Sequence, residues 1–216
     1  VILPENIISQ QLIEKCGADK IIISPPRFIS DEKKTIKRLS ELKELGISRL
    51  FCHTPDCIAI GRKLGFRLHG SFTMNIYNSY SASYMKQLGL EDFTVSFEAK
   101  LTQIAKMRRE IPLGAVTYGR LPLMLTRNCP IKNEVGCTRC SGSITDRTGR
   151  KFPIVCAKEY VEILNPNTLL ITDKEMCGAD FSLIMLNKET PQQVRDALSG
   201  KRPDGDVTHG LYYRGI

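Results

Sequence analysis

One phrase of polar and apolar positions recurs along the first half of the chain. A polar stretch ending in basic residues reaches a glycine, and a short, uninterrupted apolar run follows. Glu14-Lys15-Cys16-Gly17-Ala18-Asp19 leads into Lys20-Ile21-Ile22-Ile23-Ser24, and Lys43-Glu44-Leu45-Gly46-Ile47 into Arg49-Leu50-Phe51-Cys52. Arg62-Lys63-Leu64-Gly65-Phe66 leads into Arg67-Leu68-His69-Gly70-Ser71-Phe72, and Lys86-Gln87-Leu88-Gly89-Leu90 into Asp92-Phe93-Thr94-Val95-Ser96. A fifth unit, Ile104 to Glu110 and then Pro112-Leu113-Gly114-Ala115-Val116, keeps the rhythm without Leu-Gly. Basic residues suit the negative end of a helix dipole, and glycine suits the left-handed position just past it. Each phrase therefore predicts a helix C-terminus followed by a buried strand.

The stretches between the runs predict amphipathic helices. Ile36, Leu39, Leu42 and Leu45 recur every three residues with lysines and glutamates opposite, and Asp31 can cap the start of that helix. Asp92 stands too close to its strand to cap anything. Strands and helices alternating at roughly 20 to 29 residue steps predict a parallel sheet with right-handed crossovers. No G-x-G-x-x-G follows the first strand and no Walker loop is present, which takes weight from a nucleotide-binding doubly wound sheet. The fold class is α/β, an incomplete TIM-like (β/α) barrel. Five strands are counted, six with Thr168-Leu169-Leu170-Ile171, against the eight of a full barrel. The chain is expected to open inside a helix whose preceding strand is missing. Its start at Val1 rather than methionine points to a trimmed or processed product.

The organisation expected is a partial barrel over 1–125, a cysteine-rich metal-binding insertion over 126–158, and a segment over 159–216 completing or extending the barrel. In that last segment Asp173-Lys174-Glu175 and Glu189-Thr190-Pro191-Gln192-Gln193-Val194 predict helix starts, the second with Thr190 as N-cap and Pro191 in the first turn. A composition of 42% hydrophobic and 25% charged residues excludes disorder. The longest apolar stretch, Ile111 to Leu125, is broken by Arg120 and two prolines, so no membrane span is expected, and the front carries no signal-peptide pattern.

Of the eight cysteines, Cys129, Cys137, Cys140 and Cys156 fall close together, while Cys16, Cys52, Cys57 and Cys177 are scattered through apolar or helical contexts. The Cys137-x₂-Cys140 pair puts two thiols on one tight turn after Gly136. Two more thiols complete a four-sulfur site suited to Zn²⁺ or a 4Fe–4S cluster. A reducing cytoplasm is the compartment expected for so many unpaired thiols. Residues 126–158 hold seven Lys/Arg and two acids, so +5 of the formal +8 lies there. That charge, with Tyr118 and Phe152 as stacking groups, is compatible with an RNA partner and equally with an exposed, solvated insertion.

In a (β/α) barrel, chemistry sits at the C-terminal strand ends. Here those ends hold Ser24, His53, Ser71 to Asn75, Ser96 to Glu98 and Tyr118 to Arg120. No G-x-S-x-G or H-E-x-x-H occurs, and the histidines are His53, His69 and His209. Cys52 and His53 are strand neighbours, so their side chains face opposite ways and do not pair.

The run Gly114-Ala115-Val116-Thr117-Tyr118-Gly119-Arg120-Leu121-Pro122-Leu123-Met124, followed by Thr126-Arg127-Asn128-Cys129-Pro130, resembles the core of the peptidase U32 family, the collagenase-like proteases. So do Asn75-x₂-Asn78-Ser79, Thr94-Val95-Ser96-x-Glu98, Asp146-Arg147 with Lys151-Phe152-Pro153, and the ending Leu211-Tyr212-Tyr213-Arg214-Gly215. The resemblance implies a TIM-like barrel and substrate contacts from Asn75, Asn78, Tyr118 and Arg120. Some members are described as collagenolytic or metal-dependent peptidases; on that reading Glu98 is the candidate catalytic base and a peptide the partner. Others serve hydroxylation of RNA bases or of a ubiquinone precursor with a 4Fe–4S cluster. For those the resemblance carries the ligand role to Cys129, Cys137 and Cys140, with Cys156 as the fourth. The family pattern has a further cysteine after Tyr-Gly, where this chain has Arg120-Leu121. A third reading is a binding domain held by structural zinc.

Overall fold

A computed structural model describes residues 1–157, 159–171 and 178–214. Strands β1 (Ile2–Pro4), β2 (Ile22–Ser24), β3 (Arg49–Cys52), β4 (Arg67–Gly70), β5 (Leu90–Thr94) and β6 (Leu113–Gly119) pair in sequence order, all parallel. Helices α1 (Gln10–Cys16), α2 (Glu32–Glu44), α3 (Pro55–Lys63), α4 (Ser79–Gln87) and α5 (Leu101–Lys106) make the crossovers. The result is a mixed α/β fold whose sheet curls into a half-barrel. Among the described residues no helix is long and apolar enough to cross a membrane.

The repeated phrase folds as its chemistry demands. Gly17, Gly46, Gly65 and Gly89 all take positive φ, between 71° and 93°, where the chain turns from helix into strand. Asp31 caps α2, its carboxylate accepting from the Lys34 N–H at 3.0 Å. Leu39 and Leu42 on α2 are completely buried, each stabilising the fold by about 2 kcal/mol. Leu45, expected on the same stripe, lies past the helix end and is 43% exposed. A spacing of three falls about 60° short of a full helical turn at each step, so the stripe drifts off the core and Thr35 fills the buried face instead.

Three expectations are corrected. The chain opens not in a helix but with β1, which pairs Ile2, Leu3 and Pro4 to Ile22, Ile23 and Ser24. The fifth helix is α5, several residues earlier than Ile104 to Glu110, because Pro112 and the strand behind it need an extended lead-in. Thr168–Leu170, the sixth strand counted in the sequence, runs antiparallel to β6, with Leu169 opposite Gly119 and Leu170 opposite Tyr118. The parallel continuation comes instead from Phe181–Ile184, beside Gly114 to Tyr118 of β6. Asp173-Lys174-Glu175 lies outside the described residues.

Beyond β6 the chain builds a smaller antiparallel sheet. Its strands are β7 (Pro122–Thr126), β8 (Ser143–Thr145), β9 (Lys151–Cys156) and β10 (Val161–Leu164), in the order β7-β10-β9-β8. Helix α6 (Pro130–Val135) follows β7, and Ile131, Ile154, Val161 and Ile163 form a separate small core, with Cys129 and Phe152 packed against it. The antiparallel β11 (Thr168–Leu170), the parallel β12 (Phe181–Ile184), α7 (Pro191–Leu198) and β13 (Val207–Thr208) return the chain to the main sheet. Thr190 caps α7 with Pro191 in its first turn, as expected. Tyr212, 1% exposed, anchors the ending by donating its hydroxyl to the Val116 carbonyl at 2.7 Å.

Candidate functional site

A groove of about 870 Å³ opens beside the C-terminal ends of the first strands. Its floor carries Ser24, Phe51 and His53 from the ends of β2 and β3, with Phe72 just after β4. The far wall comes from the small sheet: Cys156 at the end of β9, then Ala157, Tyr160 and Glu162. The loop after β2 ties the two sheets together. The Arg27 guanidinium meets Glu162 at 2.8 Å, its backbone N–H donates to the Tyr160 hydroxyl at 3.2 Å, and Ser30 bonds Glu159. Arg27 also lies over the Phe72 ring, 5.9 Å from its centroid. The groove is thus aromatic and of mixed charge on one side, with Cys156 and the end of β9 on the other.

His53 is the most perturbed group in the groove. It is 7% exposed, and burial, reinforced by the positive charge of Arg27, lowers its pKa to about 3. The ring is therefore neutral at any ordinary pH and acts as one donor and one acceptor. It uses both, with Ser24 at Nε2 and Ser71 at Nδ1. Cys52 faces the opposite side, where its buried thiol interacts with Cys57 and is pushed well above the usual range, chiefly by that contact and then by burial. A second imidazole, His69, is bonded through Nδ1 to Asp92 at 2.8 Å.

The four candidate ligand cysteines converge on one end of the small sheet. Cys129 caps α6, its Sγ accepting from the Lys132 N–H at 3.5 Å. Cys137 and Cys140 sit on the single turn expected of them, with the Cys140 N–H bonded to the Cys137 carbonyl and the Gly142 N–H directed at Cys140 Sγ, 3.3 Å away. Partial burial, then the nearby thiols of Cys129, Cys140 and Cys137, raise the Cys156 thiol pKa against the opposing pull of Lys188. Repulsion of that kind acts through space over several ångströms, so it puts the four thiols in one region without setting their separations. Among the described residues, no three His, Cys, Asp or Glu side chains stand at metal-holding distance as placed. The donor chemistry nonetheless fits a soft-metal centre: four thiols, two of them already receiving backbone N–H bonds of the kind that stabilise thiolates, and cationic neighbours. Cys137, Cys140 and Cys156 are exposed and Cys129 is partly buried.

The other sequence candidates lie away from the groove wall. Asn78 caps α4, its Oδ1 accepting from the N–H groups of Tyr80 and Ser81 at 3.0 Å each. Asn75 is an exposed turn residue at φ 53°. Glu98 is half-buried, its backbone carbonyl receiving the Tyr77 hydroxyl at 3.3 Å. Tyr118 is buried within β6, and burial raises its phenol pKa. Arg120 spends its guanidinium on the carbonyls of Asn165 and Pro166. Groove residues that the sequence reading left unassigned are Arg27 and Tyr160; Phe72 lay inside the strand-end stretch Ser71 to Asn75 without a role of its own. Ser24 and His53 were visible there only as polar strand ends; nothing in the sequence joins residues so far apart.

The family model for peptidase family U32 matches residues 14–178. The chain is similar in structure to the U32 peptidase Mk0906, with a TM-score of 0.49 and 11% sequence identity over 88% of this chain and 85% of that one. No curated protein matches the sequence. The family match takes in the repeated strand units, the Tyr-Gly-Arg-Leu-Pro-Leu-Met run and all four clustered cysteines, and on it the chain belongs to peptidase family U32.

Proposed function

We propose that this U32-family chain modifies a substrate held in the groove, with a metal–thiolate centre on Cys129, Cys137, Cys140 and Cys156 beside it. The reaction favoured is hydroxylation of an RNA base or a small aromatic compound. The supporting observation is the position of Cys156, which is near the other three thiols and also lines the groove. A purely structural clip has no need to border the substrate site. A 4Fe–4S cluster on these cysteines would supply one-electron transfer, whereas a zinc ion with four protein ligands would be a structural clip.

The chain's own residues suit a flat substrate with polar edges. Phe28, Phe72 and Tyr160 line the groove with aromatic rings, and the Ser24 hydroxyl on the neutral His53 is a polar group a substrate edge can meet. Arg27, Lys34, Lys37 and Arg38 line the groove together with Glu5, Asp31, Glu41, Glu159 and Glu162, so its charges are mixed, with Arg27 paired to Glu162 and Arg38 to Glu41. The number of free thiols favours a reducing compartment, for which the cytoplasm is our assignment.

A second reading, peptide hydrolysis of the collagenase-like kind, is favoured by the Ser24–His53 contact in the same groove. Glu98 does not line that groove, so a general base for peptides is better sought at His53. The discriminating experiment loads the protein anaerobically with iron and sulfide. It then supplies reductant with total RNA or with gelatin, air being admitted or excluded. A nucleoside that gains the mass of one oxygen atom, and fails to do so with Cys156→Ala, supports modification. New peptide amino termini from gelatin, with RNA unchanged, replace it by the hydrolytic reading.

A further inference from the structure

Three hydroxyl groups, those of Ser24, Ser71 and Thr73, meet around the His53 imidazole at three successive strand ends. Ser24 Oγ lies 2.9 Å from His53 Nε2, and Ser71 Oγ lies 3.1 Å from Nδ1. Thr73 Oγ1 is 3.4 Å from Nδ1, yet its proton is committed to the His53 carbonyl at 2.8 Å. Thr73 therefore offers Nδ1 only lone pairs. Ser71 Oγ receives the Thr73 N–H at 3.4 Å, which leaves it a second lone pair to turn toward Nδ1. Two oxygens face Nδ1 and one of them, Thr73 Oγ1, can only accept there; this favours the tautomer with the proton on Nδ1, in which Ser24 Oγ–H donates to Nε2. Ser24 and His53 both line the groove.

We propose that Ser24 is an acyl-accepting nucleophile, with His53 its general base, acting on an amide or ester carbonyl held in the groove. This goes beyond the metal–thiolate reading and rests on the hydrolytic one. Ser24 Oγ attacks the carbonyl carbon as its proton passes to His53 Nε2. The tetrahedral adduct then collapses, the C–N or C–O bond breaks, and the leaving amine or alcohol takes the proton from Nε2. Water, deprotonated by Nε2, releases the acid and restores Ser24. Ser71 and Thr73 act as positioning residues, holding the tautomer that makes Nε2 the acceptor.

Ser24 is followed by Pro25 and Pro26, which have no N–H, so the backbone just after the nucleophile donates nothing to the developing oxyanion. The positive group nearest in the groove is Arg27, which acts electrostatically on His53 and whose Nη1 is paired with Glu162, leaving its other N–H groups as the donors for the oxyanion. Burial keeps His53 unprotonated but also makes it a weak base. Turnover of ordinary amides is accordingly slow, and an activated reagent is the right probe.

The test incubates the full chain with a biotinylated fluorophosphonate, locates the adduct by peptide mass spectrometry, and assays gelatin peptides in parallel. The expected result is an adduct on Ser24, absent in Ser24→Ala and formed about 100-fold more slowly in His53→Gln. Thermal melts of Ser24→Ala matching the parent exclude misfolding as the cause. A parent protein that takes no label, or takes it elsewhere, overturns the assignment. Gelatin cleavage that survives in Ser24→Ala also overturns it, while leaving hydrolysis in this groove standing.

Discussion

Acidification should weaken this fold through His53 in particular. The native imidazole holds its pKa at about 3, against an ordinary value of 6.5, because burial and Arg27 both disfavour its charge. Between those values the unfolded chain binds a proton that the native chain refuses. Stability is therefore intact above pH 6.5 and falls as the pH drops toward 3. At about 1.4 kcal/mol per unit, the loss from this one group is about 2 kcal/mol at pH 5 and about 5 kcal/mol by pH 3. Carboxylates contribute their own pH dependence, so the useful quantity is a difference of differences. Urea unfolding of the parent and of His53→Gln, each at pH 7 and pH 5, isolates it. With a slope of about 2 kcal/mol per molar urea, the parent's midpoint should fall by about 1 M more than the variant's. Equal falls in both proteins would refute a neutral, buried His53, and with it the proton placement on which the Ser24 contact depends.

Other changes should report on the frame around the groove. Asn78→Ala removes both N–H contacts that cap α4 and should cost about 1 kcal/mol, read as a lower midpoint of thermal melting, whereas Asn78→Asp should restore most of it. Tyr212→Phe leaves the Val116 carbonyl without its donor in the interior and should cost about 1 to 2 kcal/mol by urea unfolding. Gly119→Ala should be worse than either. Its φ of 121° is unsuited to a side chain, and the new Cβ would collide with the Met185 carbonyl as the chain leaves β12; we expect a loss above about 2 kcal/mol and a poor soluble yield.

The strands of the parallel sheet were readable because burial on both faces makes each a short apolar run, and because the preceding glycines have one conformational job. β1 escaped notice since Ile2-Leu3-Pro4 is too short to carry a pattern. The direction of Thr168–Leu170 left no trace either, since three apolar residues read the same both ways. The cysteine turn was legible from spacing alone, and its closeness to Cys156 follows from β9 folding back beside α6. The Ser24–His53 pair could not be read in the same manner. It is created by the register of β2 on β3, where Ile23 pairs with Leu50, bringing together two strand ends 29 residues apart. Sequence reasoning marked the strand ends that border the groove, and only the fold selects the partners upon them. Asn78 and Arg120 illustrate the converse: polar residues in a family motif whose side chains are engaged in capping and in holding the Asn165–Pro166 carbonyls.

The most direct test of the account is metal and acid-labile sulfide analysis of anaerobically purified protein, beside Cys129→Ala and Cys156→Ala. The account predicts about four iron and four sulfide per chain, with a broad absorbance near ~400 nm, both lost in either variant. Zinc alone would make the cysteines a clip and contradict the modifying role. No bound metal after anaerobic reconstitution, or iron retained without Cys156, would contradict the four-thiol centre itself.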